Sequence, residues 1–275
     1  MAANASRLRE ADDAGLAAGA GIRNDARMTK HPPAHPDLVV ATYNVQKGIG
    51  TDLRRDARRT ERVISALGAD IVAVQEGDRR FGNRAGVLDL AVLRASSGLV
   101  PVPVAAPLGA LAHGWHGNLL LVRAAAVESV RGLHLPGAEP RGALIVDLDL
   151  AQFGPVRVIA VHLALLARAR RAQARMLAEV AAEAQERDGR PTIVMGDMNE
   201  WRRWPSPALA ALDHHLGAPG LAPSFPAIFP RLPLDRIYAS KGFDMLSVAA
   251  HDTALARRAS DHLPVVARLR PRGRD

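Results

Sequence analysis

The sequence predicts an α/β fold in which two packed β-sheets carry helices on their outer faces. Short apolar runs of strand length recur from Leu38 to Leu269 and outnumber the helical segments. Their connections are mixed, some tight turns and some helices, which suits two sheets with helices outside rather than a single wound sheet. The 275 residues are 48% hydrophobic, enough for one large domain or two small ones. No internal repeat and no interior Ser- or Gly-rich linker divides the chain, so a single domain over 37–272 is expected.

Residues 1–36 are Ala-, Gly- and charge-rich and end in HPPAHP, which reads as a disordered tail, with Met28 an alternative start to Met1. LVVATY (38–43) is a β-branched apolar run, hence a buried strand. Asp52 to Leu67 places Val63, Ile64 and Leu67 on an Arg-rich background, the pattern of a surface helix. IVAVQ (71–75) and LLLV (119–122) are further buried strands. ALIVDLDL (143–150) and VRVIAVHL (156–163), separated by Gly154-Pro155, read as a hairpin. Ala164 to Arg187 has no Pro or Gly and is a long helix by propensity. TIVMG (192–196), LDRIYAS (234–240), MLSVAA (245–250) and LPVVARL (263–269) complete the strands.

Composition narrows the chemistry. With Cys at 0, disulfides, thiol nucleophiles and thiolate zinc sites are all excluded. Any metal must sit on oxygen and imidazole, which points to Mg²⁺ or Mn²⁺. A formal net charge of +8 points to an anionic partner: nucleic acid, an anionic membrane surface or a phosphorylated small molecule. Lysine occurs only at Lys30, Lys47 and Lys241, so nearly all of that charge is arginine, which a GC-rich coding sequence also produces. Aromatic content of 4% offers few stacking platforms for unpaired bases. No segment has the length and apolarity of a membrane span, and no signal-peptide pattern is seen; the expectation is a cytoplasmic, monomeric protein.

Polar residues recur where buried strands end, the place where loops converge over a rigid base. Asn44 follows LVVATY; Glu76 follows DIVAVQ, where an unpaired carboxylate is costly. His162 lies near the end of VRVIAV, and Asp197 and Asn199 follow TIVMG. A carboxylate there can take a proton from water, with a carboxamide orienting it. Ser260-Asp261-His262 puts an acid and an imidazole at the entry to the last strand, and Asp235 is the candidate carboxylate to hold that ring. Arg141-Gly142 and Gly117-Asn118 precede strands, where a glycine permits close approach and Arg offers a planar fork for phosphate oxygens. Each has a plainer reading. Glu76 could pair with Lys47, Arg79 or Arg80, Asp235 with Arg231 or Arg236, and Asp197 could form an Asx-turn.

In sequence order, Thr-Tyr-Asn44, Val-Gln-Glu76, Gly-Asn118, Arg141-Gly, Val-His162-Leu, Gly-Asp197-Met-Asn199, Leu-Asp235-Arg-Ile and Ser-Asp261-His262 resemble the endonuclease/exonuclease/phosphatase superfamily. HGNLLLVR, GDMNEW and SDHLPV look most like its small bacterial YbhP-like branch. The resemblance spans about residues 38 to 270. It implies a DNase I-like four-layer α/β/β/α sandwich, two mixed β-sheets flanked by helices, with the site at one rim. It implies a metal-dependent phosphoester hydrolase, with Glu76, Asn44 and Asp261 at one Mg²⁺ or Mn²⁺. Asp197, with Asn199 beside it, would activate the water. His262, held by Asp235, would stabilise the transition state, and His162, Asn118 and Arg141 would contact phosphate oxygens.

One departure stands out. Exonuclease III-like members carry an Asp two residues after the strand-end Asn, where this chain has Gln46, which favours one metal over two. The long insertions that larger members use to grip DNA are also missing. A phospholipid headgroup or small phosphodiester is therefore the leading substrate expectation, with peripheral contact at an anionic membrane. A nuclease acting on DNA or RNA is the alternative. A non-catalytic binding module is the rival from another class, and gaps at Glu76, Asp197 or His262 would have marked it.

Overall fold

The computed structural model describes residues 37–104 and 109–272; the tail expected over 1–36 lies outside the described residues. Two six-stranded sheets form the body. The first runs β11 (Phe243–Ala250), β12 (Val265–Pro271), β1 (Leu38–Asn44), β2 (Ile71–Gln75), β4 (Leu119–Val122) and β3 (Val100–Pro101). The second runs β5 (Ala125–Leu135), β6 (Arg141–Leu150), β7 (Gly154–His162), β8 (Thr192–Asp197), β10 (Asp235–Ala239) and β9 (Gly220–Leu221). Both are mixed, because β1–β2 and β7–β8 pair in parallel while the remaining pairings are antiparallel.

Strands buried on both faces explain the continuous apolar runs. Alternate side chains point to opposite faces. Val40, Ile71 and Leu120 of the first sheet meet Val146, Val158 and Met195 of the second in the central layer. Val39, Val72 and Leu121 face outward, under α1 (Ala57–Ala66), α2 (Leu90–Ser97) and α5 (Ala254–Ala259). Ile145, Ile159 and Val194 lie under α3 (Ala167–Asp188) and α4 (Ala210–Leu216). The result is the four-layer sandwich the sequence led us to expect. No described helix is long and apolar enough to cross a membrane.

Several boundaries differ from expectation for local reasons. Helix α1 begins at Ala57 rather than Asp52, because Asp56 caps it by accepting from the Arg59 amide and Leu53 turns the preceding chain through a left-handed backbone. Strand β5 is absent from the apolar pattern altogether. It is an edge strand, mostly exposed, and its sequence AAVESVRGLHL gives no apolar run to detect. The expected hairpin of β6 and β7 is formed, with Asp147 opposite Arg157.

Register is what positions the site. Asn44 lies beside Gln75 across the parallel pair β1–β2. His162 lies beside Asp197 across β7–β8, and Asp235 beside Asp197 across β8–β10. Gly196 makes the β7–β8 approach feasible: a Cβ there would stand 1.9 Å from the Val161 carbonyl oxygen.

Away from this rim, Asp147 accepts a two-pronged bond from Arg157 at 2.7 and 2.8 Å and a third from Ser129 at 2.8 Å. Both charges are buried. Although burial opposes its ionisation, the Arg157 and Ser129 bonds hold the Asp147 carboxyl below its usual range. A folded-state value below the unfolded one contributes stability above the ordinary carboxylate pKa, lost as pH falls through the folded value. Asp147→Ala, which strands the Arg157 guanidinium, is therefore expected to cost about 3 kcal/mol at neutral pH in urea unfolding. The difference from the parent should shrink on acidification.

Candidate active site

Four carboxylates (Asp197, Asp235, Glu76 and Asp261), two imidazoles and two carboxamides come together where the strands of both sheets end. Asp197, at the end of β8, is at the centre and is almost fully buried. Its Oδ2 accepts from Asn44 Nδ2 at 3.0 Å, a bond that joins the two sheets. His162 Nε2 lies 3.4 Å and His262 Nε2 3.8 Å from the same oxygen. Its Oδ1 accepts from the Asn199 amide at 2.9 Å, so the Asx-turn does form, and it serves to aim the carboxylate. Asn199 has φ +50 and donates its Nδ2 to the Leu163 carbonyl at 2.9 Å, tying the turn to the strand end of His162.

Asp235 opens β10 fully buried, and its Oδ2 lies 2.8 Å from His262 Nδ1. The salt bridge to Arg236 is not made, because neighbours in a strand face opposite ways. Arg236 instead donates to the carbonyls of Pro233, Glu200 and Arg202. The Phe225 ring lies 4.9 Å from that of His262 and covers it. His262 is pushed up to about 10: burial opposes its charge, but the carboxylates of Asp235 and Asp197 and the Asp235 hydrogen bond outweigh that. His162 goes the other way, to about 3. Burial dominates there; Asp197 favours the charged form, while Arg141, His262 and Lys47 oppose it. Two imidazoles against one carboxylate thus hold opposite charge states at neutral pH. Asp197, Asp235 and His262 offer ligand atoms within 4.8 Å of one another, so this trio could also hold a cation.

The oxygen donors implied for the metal lie next to this group. Glu76 has φ +56 directly after β2, a backbone region that bulky residues rarely adopt, and it is partly exposed. Its carboxylate is paired with Lys47, the first of the alternatives; no bond to Arg79 or Arg80 is made among the described residues. Asp261 is pushed up, by burial first and then by the charge of Glu76, against His262. Asn44 Oδ1 accepts from the Gln46 amide at 3.1 Å and keeps one lone pair, while Gln46 Oε1 is buried without a partner. Mutually repelling carboxylates and an orphaned buried oxygen, in a chain with no cysteine, fit a hard divalent cation.

Two expected phosphate contacts are occupied otherwise. Asn118 donates both amide hydrogens to backbone, to Gly142 O at 3.0 Å and Trp115 O at 3.2 Å. It has no donor left for a phosphate oxygen and instead locks the entry to β4 onto β6. Arg141 gives Nε and Nη2 to Glu139 Oε2 at 3.1 and 2.8 Å, yet lies close enough to act electrostatically on His162. Two supporting roles escaped the sequence reading, although Ser260 lay in a motif it had singled out. Ser260 Oγ donates to Asn44 O at 2.7 Å and accepts from the His262 amide, and Arg170 pairs with Glu200 at 3.3 Å. A lone Ser or a Glu in a loop gives no signal of such distant partners.

A model of the Endonuclease/Exonuclease/phosphatase family matches residues 41–262, and the chain belongs to that family. Within it, the chain is similar to YbhP-like proteins. The uncharacterized protein YbhP of Escherichia coli K12 is 37% identical over 171 residues, 57% of this chain and 64% of YbhP, so the match spans just under two thirds of that relative. Among solved structures, an endonuclease/exonuclease/phosphatase from Beutenbergia cavernae superposes with TM-score 0.64 at 25% identity, covering 86% of this chain and 72% of that one. The human Nocturnin catalytic domain with bound sulfate superposes with TM-score 0.64 at 19% identity, covering 86% and 95%.

The charge states of the two imidazoles are open to direct measurement. In metal-free protein, ¹⁵N NMR at pH 8 should find His262 protonated and His162 neutral, with His162 still neutral at pH 5. Asp235→Asn should lower the His262 pKa by at least about one unit, equivalent to about 1.4 kcal/mol. A neutral His262 at pH 8 in the parent protein would contradict the assigned pairing.

Proposed function

We propose that the chain is a divalent-metal-dependent hydrolase of phosphoesters, a phosphodiesterase acting on small or lipid-linked diesters. The observation that carries this reading is Asp197 facing the Nε2 of His262 at 3.8 Å, with Asp235 holding the ring by its far nitrogen at 2.8 Å. Asp197 takes a proton from water, and its two hydrogen bonds, from Asn44 and the Asn199 amide, fix where its oxygens point. The water oxygen bonds to phosphorus as the opposite P–O bond breaks in line. His262, already charged, stabilises the negative charge that builds on the phosphoryl oxygens and can give its Nε2 proton to the departing oxygen. Neutral His162 contributes at most one N–H to the phosphoryl group without adding charge, and Arg141 contributes positive potential. Glu76 and Asp261, with Asn44, would hold the metal. When bound, Mg²⁺ or Mn²⁺ would neutralise phosphoryl charge and lower the pKa of water. The Nocturnin catalytic domain, which shares this fold, binds sulfate, a tetrahedral oxyanion like phosphate.

Turnover of a soluble chromogenic diester should require Mg²⁺ or Mn²⁺ and stop on EDTA addition. Asp197→Asn and His262→Ala should each lose at least about 100-fold in rate. Glu76→Gln should instead raise the metal concentration needed for half-maximal rate by at least about tenfold. Hydrolysis of plasmid DNA or RNA in preference to every diester and phospholipid offered would replace this substrate class by nucleic acid. Absence of hydrolysis with either metal would sink the enzyme reading.

A further inference from the structure

The large apolar side chains that stand exposed are concentrated on the loops of the rim just described. Phe81 (80% exposed) lies on the loop leaving Glu76, Leu165 on the loop leaving His162, and Trp201 and Trp204 on the loop leaving Asn199. Ile228 and Phe229 lie on the loop before Asp235, whose Ala227 amide donates to the Asp261 carbonyl at 2.7 Å. Leu53, 84% exposed, tips the turn after β1 with φ +60, a backbone state in which Gly or Asn would be expected. A leucine there gains nothing from water and strains the chain, so its side chain calls for a partner outside the molecule.

Arginine accompanies these tips. Arg54 and Arg55 follow Leu53, Arg79 and Arg80 precede Phe81, and Arg202 and Arg203 lie between the two tryptophans, all exposed. Three guanidinium groups rest on the exposed rings: Arg231 at 4.2 Å from the Phe229 centroid, Arg202 at 5.4 Å from Trp201 and Arg80 at 5.7 Å from Phe81. The acids beside these tips are already partnered: Asp52 and Asp56 pair with Arg59, buried Glu200 pairs with Arg170, and buried Asp78 accepts from the His113 and Gly114 amides.

We propose that this rim docks on an anionic lipid bilayer. The apolar tips would enter the boundary between headgroups and acyl chains, and the arginines would sit among headgroup phosphates. Aromatic side chains with a cation at their face suit that boundary, where one end is apolar and the other wet. Charge alone would equally suit a nucleic acid. The aliphatic tips decide against it, because Leu53, Leu165 and Ile228 offer nothing to a phosphate backbone or a stacked base, whereas a lipid interior buries them. Resting on the hydrolase reading above, the docking makes the substrate a phosphoester in the headgroup of a lipid presented by the bilayer.

The full-length chain is tested by co-sedimentation with vesicles of phosphatidylcholine alone or mixed with phosphatidylglycerol, and by gel shift with duplex DNA. The expected result is binding to the anionic vesicles with a blue shift of tryptophan fluorescence. The pair W201Q/W204Q and, separately, R202Q/R203Q should each weaken it at least about tenfold. Both variants should keep the parent melting temperature and its rate on a soluble diester. No vesicle binding, binding unaffected by the tryptophan pair, or binding to DNA with none to vesicles would each overturn the docking. The two readings separate cleanly. A chain that cleaves the soluble diester but ignores vesicles keeps the hydrolase and loses the docking. A chain that binds vesicles through its tryptophans but cleaves nothing does the reverse.

Discussion

The apolar face shared by the two sheets is the constraint on which the rest of the molecule depends. It is filled by side chains from both sheets, and a slip of either by one residue would turn those side chains to the wrong face. Because that face is fixed, the ends of β1 and β2 stand opposite the ends of β7 and β8 at one rim. The bond from Asn44 to Asp197 is possible only there, between residues 153 positions apart. Neither sheet carries the cluster alone: Asn44, Glu76 and His262 stand at strand ends of the first, and His162, Asp197 and Asp235 at strand ends of the second.

Within the rim, burial and charge divide two like groups into different tasks. His162 and His262 are both buried beside Asp197, yet only His262 has a second carboxylate behind it. Asp235 and Asp197 together push His262 up against burial, whereas burial, with Arg141, His262 and Lys47, pushes His162 down. A charged donor and a neutral one flanking the same base is an arrangement suited to a reaction in which negative charge builds at one side of phosphorus while a proton leaves at the other. Left-handed backbone at Gln46, Lys47, Glu76 and Asn199 marks where the chain turns sharply beyond the ends of β1, β2 and β8 at the site.

The loops beyond the strand ends follow a different logic. Strands hold the reacting groups rigidly, and their sequence is dictated by packing on both faces. The loops bear no such burden, yet they expose Leu53, Phe81 and Trp201 rather than the polar residues that water favours. The buried polar cluster and the exposed apolar side chains therefore occupy separate parts of the same rim.

Much of this was legible in the sequence. Strands buried on both faces announce themselves as apolar runs, so β2 and β4 match their expected bounds to the residue, and polar residues ending such runs mark the rim. Edge strand β5 was not legible, because an exposed edge needs no apolar pattern. Nor could the sequence choose among partners for a given charge. Asp235 does take His262, the partner the motifs suggested, but among Lys47, Arg79 and Arg80 nothing in the sequence singled out Lys47 for Glu76. Asn118 was expected to reach for phosphate, and both its donors are held by backbone carbonyls. The reason is physical. Residue type and spacing are local and fix which groups lie at a strand end. Charge state and free hydrogen-bonding capacity depend on burial and on neighbours supplied from far along the chain, and only the tertiary structure brings those together.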